Sequence, residues 1–116
     1  MIESKKYSVA AIGNAMLDLV CEVPDQFLSQ EVISKGAMNL VSRERSNYIL
    51  KLVRPIKESA GGSAANTIST LAKLGLKTGY TGKIADDPKG KVFKKDLLDN
   101  SIFYNTEFLD KSYQTG

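Results

Sequence analysis

Short apolar runs take turns with stretches of helical spacing from Tyr7 to Asn105, and this alternation restricts the fold more than any other feature of the chain. "YSVAAI" (Tyr7 to Ile12) is a compact apolar run stopped by Gly13-Asn14, the pattern of a buried strand with a turn at its carboxyl end. Further on, "GGSAAN" (Gly61 to Asn66) opens a stretch in which Ala64, Ile68, Leu71 and Ala72 share one helical face, with Gly75 placed as the stop. "KTGYTGKI" (Lys77 to Ile84) reads as the next strand. Asp87-Pro88 then supplies an N-cap and a first-turn proline for a helix that turns Val92, Phe93 and Leu97 inward, and "SIFYN" follows as another strand-like run. Strands and helices in this order predict an α/β fold with a largely parallel sheet flanked by helices.

The segments around residues 19–23 and 36–41 interrupt that rhythm. "LVCEV" (19–23) alternates and ends before Pro24, and "GAMNLV" (36–41) reads as a further strand, so the two are expected to form a small flap beside the main sheet. Ser42 is placed to cap a helix with Tyr48, Ile49, Leu52 and Val53 on its apolar face, and Pro55 ends it. "IKES" gives only a weak strand signal. The closing "YQTG" is neither a capped helix nor a polar tail. Three or four main-sheet strands leave an edge that needs cover, so the expectation is the N-terminal part of something longer.

Composition removes several classes of function. The 116 residues carry 16 basic and 13 acidic side chains, a net +3, with the signs interspersed. A nucleic-acid binder would show a focused basic stripe, which is missing. There is no histidine, which excludes Ser-His-Asp chemistry and most zinc sites within this chain. One cysteine, Cys21, cannot form an internal disulfide and suits a reducing cytoplasm. No stretch is long and apolar enough to span a membrane, and the N-terminus does not read as a signal peptide.

Two short segments carry the candidate chemistry. In "GNAMLD" the turn at Gly13 places Asn14 and Asp18 near the carboxyl end of the first strand, where open α/β sheets bind ligands. A carboxylate there can accept hydrogen bonds from the paired hydroxyls of a sugar; equally, Asn14 can serve only the turn and Asp18 can face water. In "GGSAAN", Gly61 and Gly62 let a ligand oxygen approach the first helical amides, and Asn66 offers both a donor and an acceptor. The alternative is a plain strand-to-helix turn. "TGKIADDPKGK" is not a phosphate loop, because no glycine lies five residues before Gly82 and Ile84 stands where Ser or Thr would hold magnesium. Asp86 and Asp87 fit a helix cap better than a metal pair.

The ordered set "AIGNAMLDLV", "KGAMNLV", "SAGGSAANTISTLAKLG" and "GYTGKIADDPKGKVFKKDLLDNSI" resembles the N-terminal half of the ribokinase-like (PfkB) carbohydrate kinases, most of all the adenosine-kinase branch. The resemblance runs from Tyr7 to Gly116. It implies a partial ribokinase-like sheet with small β lid strands at about 19–23, 36–41 and 105–116. It implies that Asp18 accepts the hydroxyls of a sugar or nucleoside, that Asn14, Gly61, Gly62, Ser63 and Asn66 line the same pocket, and that Met38 and Leu40 cover the base or its equivalent. "SYQTG" resembles the family's "PTG" strand, with Gln114 where proline is usual; Ile68 replaces a small residue and Ala85 a glycine.

The implied reaction is transfer of a phosphoryl group from ATP with magnesium to a primary hydroxyl. The family's Gly-Ala-Gly-Asp segment, with the catalytic base and the anion hole, is missing from these 116 residues, so no catalytic or metal residue is assigned here. A homodimer through the lid is the macromolecular partnership that the resemblance allows. Two other readings compete: a noncatalytic truncated module that associates through its lid strands, and a dinucleotide binder, which the missing glycine fingerprint disfavours.

Overall fold

The computed structural model describes residues 6–110 and 112–116. In chain order the elements are β1 (Val9–Ile12), β2 (Met16–Cys21), α1 (Asp25–Gln30), α2 (Arg43–Leu52), β3 (Pro55–Gly61), α3 (Ser63–Lys73), β4 (Thr78–Thr81), α4 (Pro88–Asp99) and β5 (Ile102–Phe103). The chain divides into two units, one made of the residues up to Asp18 together with Glu58–Gly116, the other of Leu19–Lys57.

The first unit holds a parallel sheet in the order β1-β4-β5. Val9 faces Thr78 and Ile12 faces Thr81, while Thr78 and Gly79 face Ile102 and Phe103. The ladder continues past both ends of β1, where Ser8 N–H donates to Lys77 O and Gly13 N–H to Thr81 O. This is the expected α/β class. The inner faces of α3 and α4 supply Ala65, Ile68, Phe93 and Leu97, each with essentially no exposed surface, to a core shared with Tyr80, Ile84, Ile102 and Tyr104. Fully burying a side chain the size of Phe, Ile or Leu contributes about 1.5–3 kcal/mol. Three rings form the centre: Tyr80 lies 5.7 Å from Phe93 and 6.1 Å from Tyr104, and Phe93 meets Tyr104 edge-on.

The helix boundaries follow from capping. Gly75, at φ 89°, ends α3, with Gly75 and Leu76 N–H donating back to Ala72 and Leu71 carbonyls. Asp87 caps α4 by accepting from Gly90 N–H at 2.7 Å, and Pro88 occupies the first turn. Ser42 caps α2 by accepting from Arg45 N–H at 3.1 Å.

Several boundaries differ from the sequence expectations. β2 and β3 form a two-stranded sheet. The run expected at 19–23 begins earlier, as β2, and the weak "IKES" signal is a seven-residue strand that starts at Pro55 itself. No strand forms at 36–41. The Asn39 carboxamide instead closes a loop, accepting from Ser34 N–H and donating to the Ser34 and Ala37 carbonyls, so these backbone groups are satisfied locally. Nor do the described residues of 105–116 form a lid strand. That segment is irregular apart from one bridge between Ala85 and Leu109, and it is further anchored by Thr115 side-chain bonds and by Leu17 N–H donating to the Gly116 carbonyl. The short helix α1 was not expected, since Pro24 reads first as the end of a strand.

The second unit contains α1 and α2 and is tied by polar contacts. Arg45 pairs with the Glu31 carboxylate at 2.9 Å, donates to the Glu31 carbonyl and lies over the Tyr48 ring. α1 ends through Val32 at φ 53°, with Ile33 N–H donating to Leu28 O. This is a left-handed cap that glycine usually fills. A left-handed L-residue costs roughly 1–2 kcal/mol, and glycine's extra backbone freedom takes back about 0.5–1. Val32 is 89% exposed, so its side chain has little burial to lose. Val32→Gly is therefore expected to raise stability by about 0.5–1 kcal/mol, read as a higher urea midpoint at unchanged slope. A lower midpoint would show that contacts of the valine outweigh the strain.

Candidate functional site

The carboxyl ends of β1 and β3 meet the start of α3 through contacts that only glycine permits. A Cβ on Gly13 would stand 2.6 Å from the Ala64 side chain, and one on Gly62 would stand 2.8 Å from the Asn14 carbonyl. Gly62 also has φ 92°, the left-handed region. The Gly13-Asn14 turn therefore lies directly on the junction that begins α3. Gly62 is the N-cap of α3 and supplies no side-chain hydrogen bond, which leaves the first amides of an eleven-residue helix without a side-chain cap.

Asp18, on β2, reaches the same junction. Its carboxylate carbon and one oxygen lie 2.3 Å from the place a Cβ on Gly61 would take. The carboxylate thus sits over the bare backbone of Gly61 while Asp18 stays exposed. The sequence-predicted residues Asn14, Asp18, Gly61 and Gly62 are brought together, with Ser63 and Asn66 exposed on the first turn of α3 that follows. Asn66 N–H closes that turn on the Gly62 carbonyl at 2.9 Å. Met38 and Leu40 belong to the second unit, where they are 85% and 88% exposed. Leu40 there lines an open depression of about 450 Å³ with Glu31, Val32 and Arg45.

Residues that sequence reasoning missed hold this junction in place. Asp96 on α4 accepts from Ala60 N–H at 2.7 Å, fixing the backbone one residue before Gly61. Thr115 fastens the closing segment: its N–H donates to one Asp87 oxygen at 2.8 Å, its hydroxyl to the other at 2.7 Å, and that hydroxyl accepts from Ala85 N–H. Leu17 N–H then donates to the Gly116 carbonyl at 3.0 Å. Nothing local in the sequence signals these pairings: the side-chain bonds join residues 28 to 36 positions apart, and Leu17 and Gly116 lie farther apart still.

The acidic pair Asp86-Asp87 is already spent: Asp87 serves the cap and Thr115, and Asp86 faces Lys91 at 3.6 Å. No group of three or more His, Cys, Asp or Glu side chains converges on a metal position among the described residues. Burial pushes the Asp87 carboxyl up, but hydrogen bonds from Thr115 and Gly90, with help from Lys89, outweigh it and hold the group below its ordinary value. Burial, followed by the nearby Tyr104, raises the Tyr80 hydroxyl above its ordinary value.

Two predictions follow from the geometry. Gly61→Ala places its methyl on the Asp18 carboxylate, which must turn away, so stability is expected to fall by about 1–3 kcal/mol. Its new methyl displaces the Asp18 carboxylate, and any ligand held there is lost; thermal melting and ligand titration of one variant read the two effects separately. For Asp87, a lowered folded pKa means stability that is present above the unfolded carboxylate value of about 3.9 and is lost as pH falls through the folded one. Asp87→Asn should flatten the acid limb of a stability–pH curve, and an unchanged acid limb would show that other groups carry it.

The family model described as "pfkB family carbohydrate kinase" matches residues 7–115. A 5-dehydro-2-deoxygluconokinase of Geobacillus kaustophilus is 38% identical over 65 residues, 51% of this chain and 19% of the relative. One from Bacillus licheniformis is 28% identical over 109 residues, 94% of this chain and 27% of the relative. Among solved structures, adenosine kinase from Sinorhizobium meliloti superposes with TM-score 0.77 at 40% identity, covering 91% of this chain and 32% of that one. A probable sugar kinase from Rhizobium etli gives 0.75 at 32% identity, covering 93% and 37%. The chain thus spans between 19% and 37% of the length of these relatives. With a family match over nearly its whole length and a ribokinase-like portion of the fold, the chain belongs to the pfkB carbohydrate kinase family.

Proposed function

We propose that this chain is the acceptor-binding part of a sugar or nucleoside kinase. In the complete domain, ATP with magnesium would phosphorylate a primary hydroxyl of an adenosine-like or sugar substrate. The observation that carries the reading is the Asp18 carboxylate lying against the Gly61 backbone beside the start of α3. An exposed carboxylate, bare glycine backbone and uncapped helical amides together suit a polyol, whose hydroxyls both donate and accept. Asp18 takes paired sugar hydroxyls, Asn14 and Asn66 add directional bonds, and Gly61, Gly62 and Ser63 let the ring lie close. Met38 and Leu40 are assigned to covering the base or its equivalent, on the family pattern alone.

Among the described residues no three or more His, Cys, Asp or Glu side chains converge on a position that could hold magnesium, and Asp86 and Asp87 are engaged by Lys91, Gly90 and Thr115. The nucleotide and the catalytic base fall to the rest of the kinase domain. What this chain contributes is orientation of the acceptor, which in phosphoryl transfer can be worth several kcal/mol of the barrier.

A second reading, a noncatalytic module that pairs with another copy, is favoured by exposed apolar residues on the β2-β3 pair: Val20 at 47% and Ile56 at 64%. Calorimetric titration with adenosine, ribose and fructose separates the two. The acceptor reading expects binding that Asp18→Asn abolishes and that Asn66→Ala weakens by about 1–3 kcal/mol through an unpaired hydroxyl. It also expects no acceptor-dependent ATP consumption by the 116-residue chain. Concentration-dependent dimerisation with no ligand response would favour the module, and equal affinity in Asn66→Ala would remove Asn66 from the site.

A further inference from the structure

Beneath the proposed acceptor site lie two buried tyrosines, and only one of them is fully used. The Tyr104 hydroxyl donates to the Gly82 carbonyl at 2.5 Å, fastening the loop that follows β4. Tyr80 is 2% exposed, yet its hydroxyl has no hydrogen-bond partner among the described residues. Leaving a buried hydroxyl unpaired is costly, so its surroundings bear on its purpose. The Tyr80 hydroxyl and the Gly13 carbonyl oxygen both lie within 2.8 Å of one point, the place a Cβ on Gly82 would occupy. The nearest part of the acceptor site is therefore the Gly13-Asn14 turn. Gly13 N–H bonds Thr81, but the turn's other face borders the unused donor.

We infer that Tyr80 is a positioning residue for the acceptor. Its hydroxyl is a reserve donor that the Gly13 carbonyl takes up when a polyol draws the Gly13-Asn14 turn down toward the sheet. The inference rests on the acceptor-site reading above. It extends that reading to a residue that is shielded from any ligand and that acts through the backbone carrying Asn14. The loop after β4 is fastened in the free protein by Tyr104, whereas the loop after β1 is fastened from below only when the site fills. Occupancy thereby satisfies a donor that the free chain leaves unpaired, so part of the binding free energy resides in this bond.

Tyr80→Phe keeps the ring that packs on Phe93 and Tyr104 and removes only the hydroxyl. The expected result is a melting temperature of the free chain that is equal or higher, with affinity for the bound acceptor (the one of adenosine, ribose or fructose that the wild type takes) reduced about five- to tenfold. Amide exchange at Gly13 and Asn14 should slow on addition of that acceptor in the wild type and not in Tyr80→Phe. A lower melting temperature of the free variant would mean that the hydroxyl is already paired and would overturn the inference. So would unchanged affinity in Tyr80→Phe where Asp18→Asn still abolishes binding, and that result would leave the acceptor site standing. A wild type that binds none of the three acceptors overturns the acceptor reading and this inference together.

Discussion

The close packing of backbone on backbone at the carboxyl end of the sheet is the constraint on which the rest depends. Gly13, Gly62 and Gly82 each occupy a place where a side-chain carbon would overlap a neighbouring carbonyl or side chain. With these positions bare, the turn after β1, the start of α3 and the loop after β4 collapse onto one another above the aromatic trio. The same bareness lets Asp18 lie over Gly61. The arrangement that packs the core also leaves backbone bare beside the Asp18 carboxylate, because glycine serves both ends.

This leaves exposed polar residues standing over a buried apolar floor at the candidate site. Tyr80, Phe93 and Tyr104 exclude water below, while Asn14, Asp18 and Asn66 remain exposed above. Side-chain anchors from distant segments then hold the backbone: Asp96 accepts from Ala60 N–H and the Thr115 hydroxyl accepts from Ala85 N–H. Each engages a backbone amide, the group that a loop most needs satisfied when it is drawn into a compact structure.

The sequence was legible where signals are local. Periodicity and caps located α2, α3 and α4, and Ser42, Gly75 and Asp87 perform the roles their types suggested. The residues of "GNAMLD" and "GGSAAN" were recognisable as partners, and Asp18 does meet Gly61. Legibility failed where the deciding bond was not local or where a side chain outcompeted the ladder. Asn39 turned an apparent strand into a closed loop, and Pro55 began a strand where it reads first as the end of a helix. Asp96, Thr115 and Tyr80 have no pattern that announces them, since their partners lie far along the chain or on a neighbouring strand.

The bond between Asp87 and Thr115 has a consequence for the order in which this unit is made. The first turn of α4 is synthesised 28 residues before the residue that completes its cap. Until the ribosome releases that later stretch, Asp87 holds only Gly90, and the Ala85 amide waits for its acceptor. The cap on Gly90 can form locally, but the Asp87 carboxylate and the Ala85 amide reach their full set of partners only when Thr115 has been brought back to them.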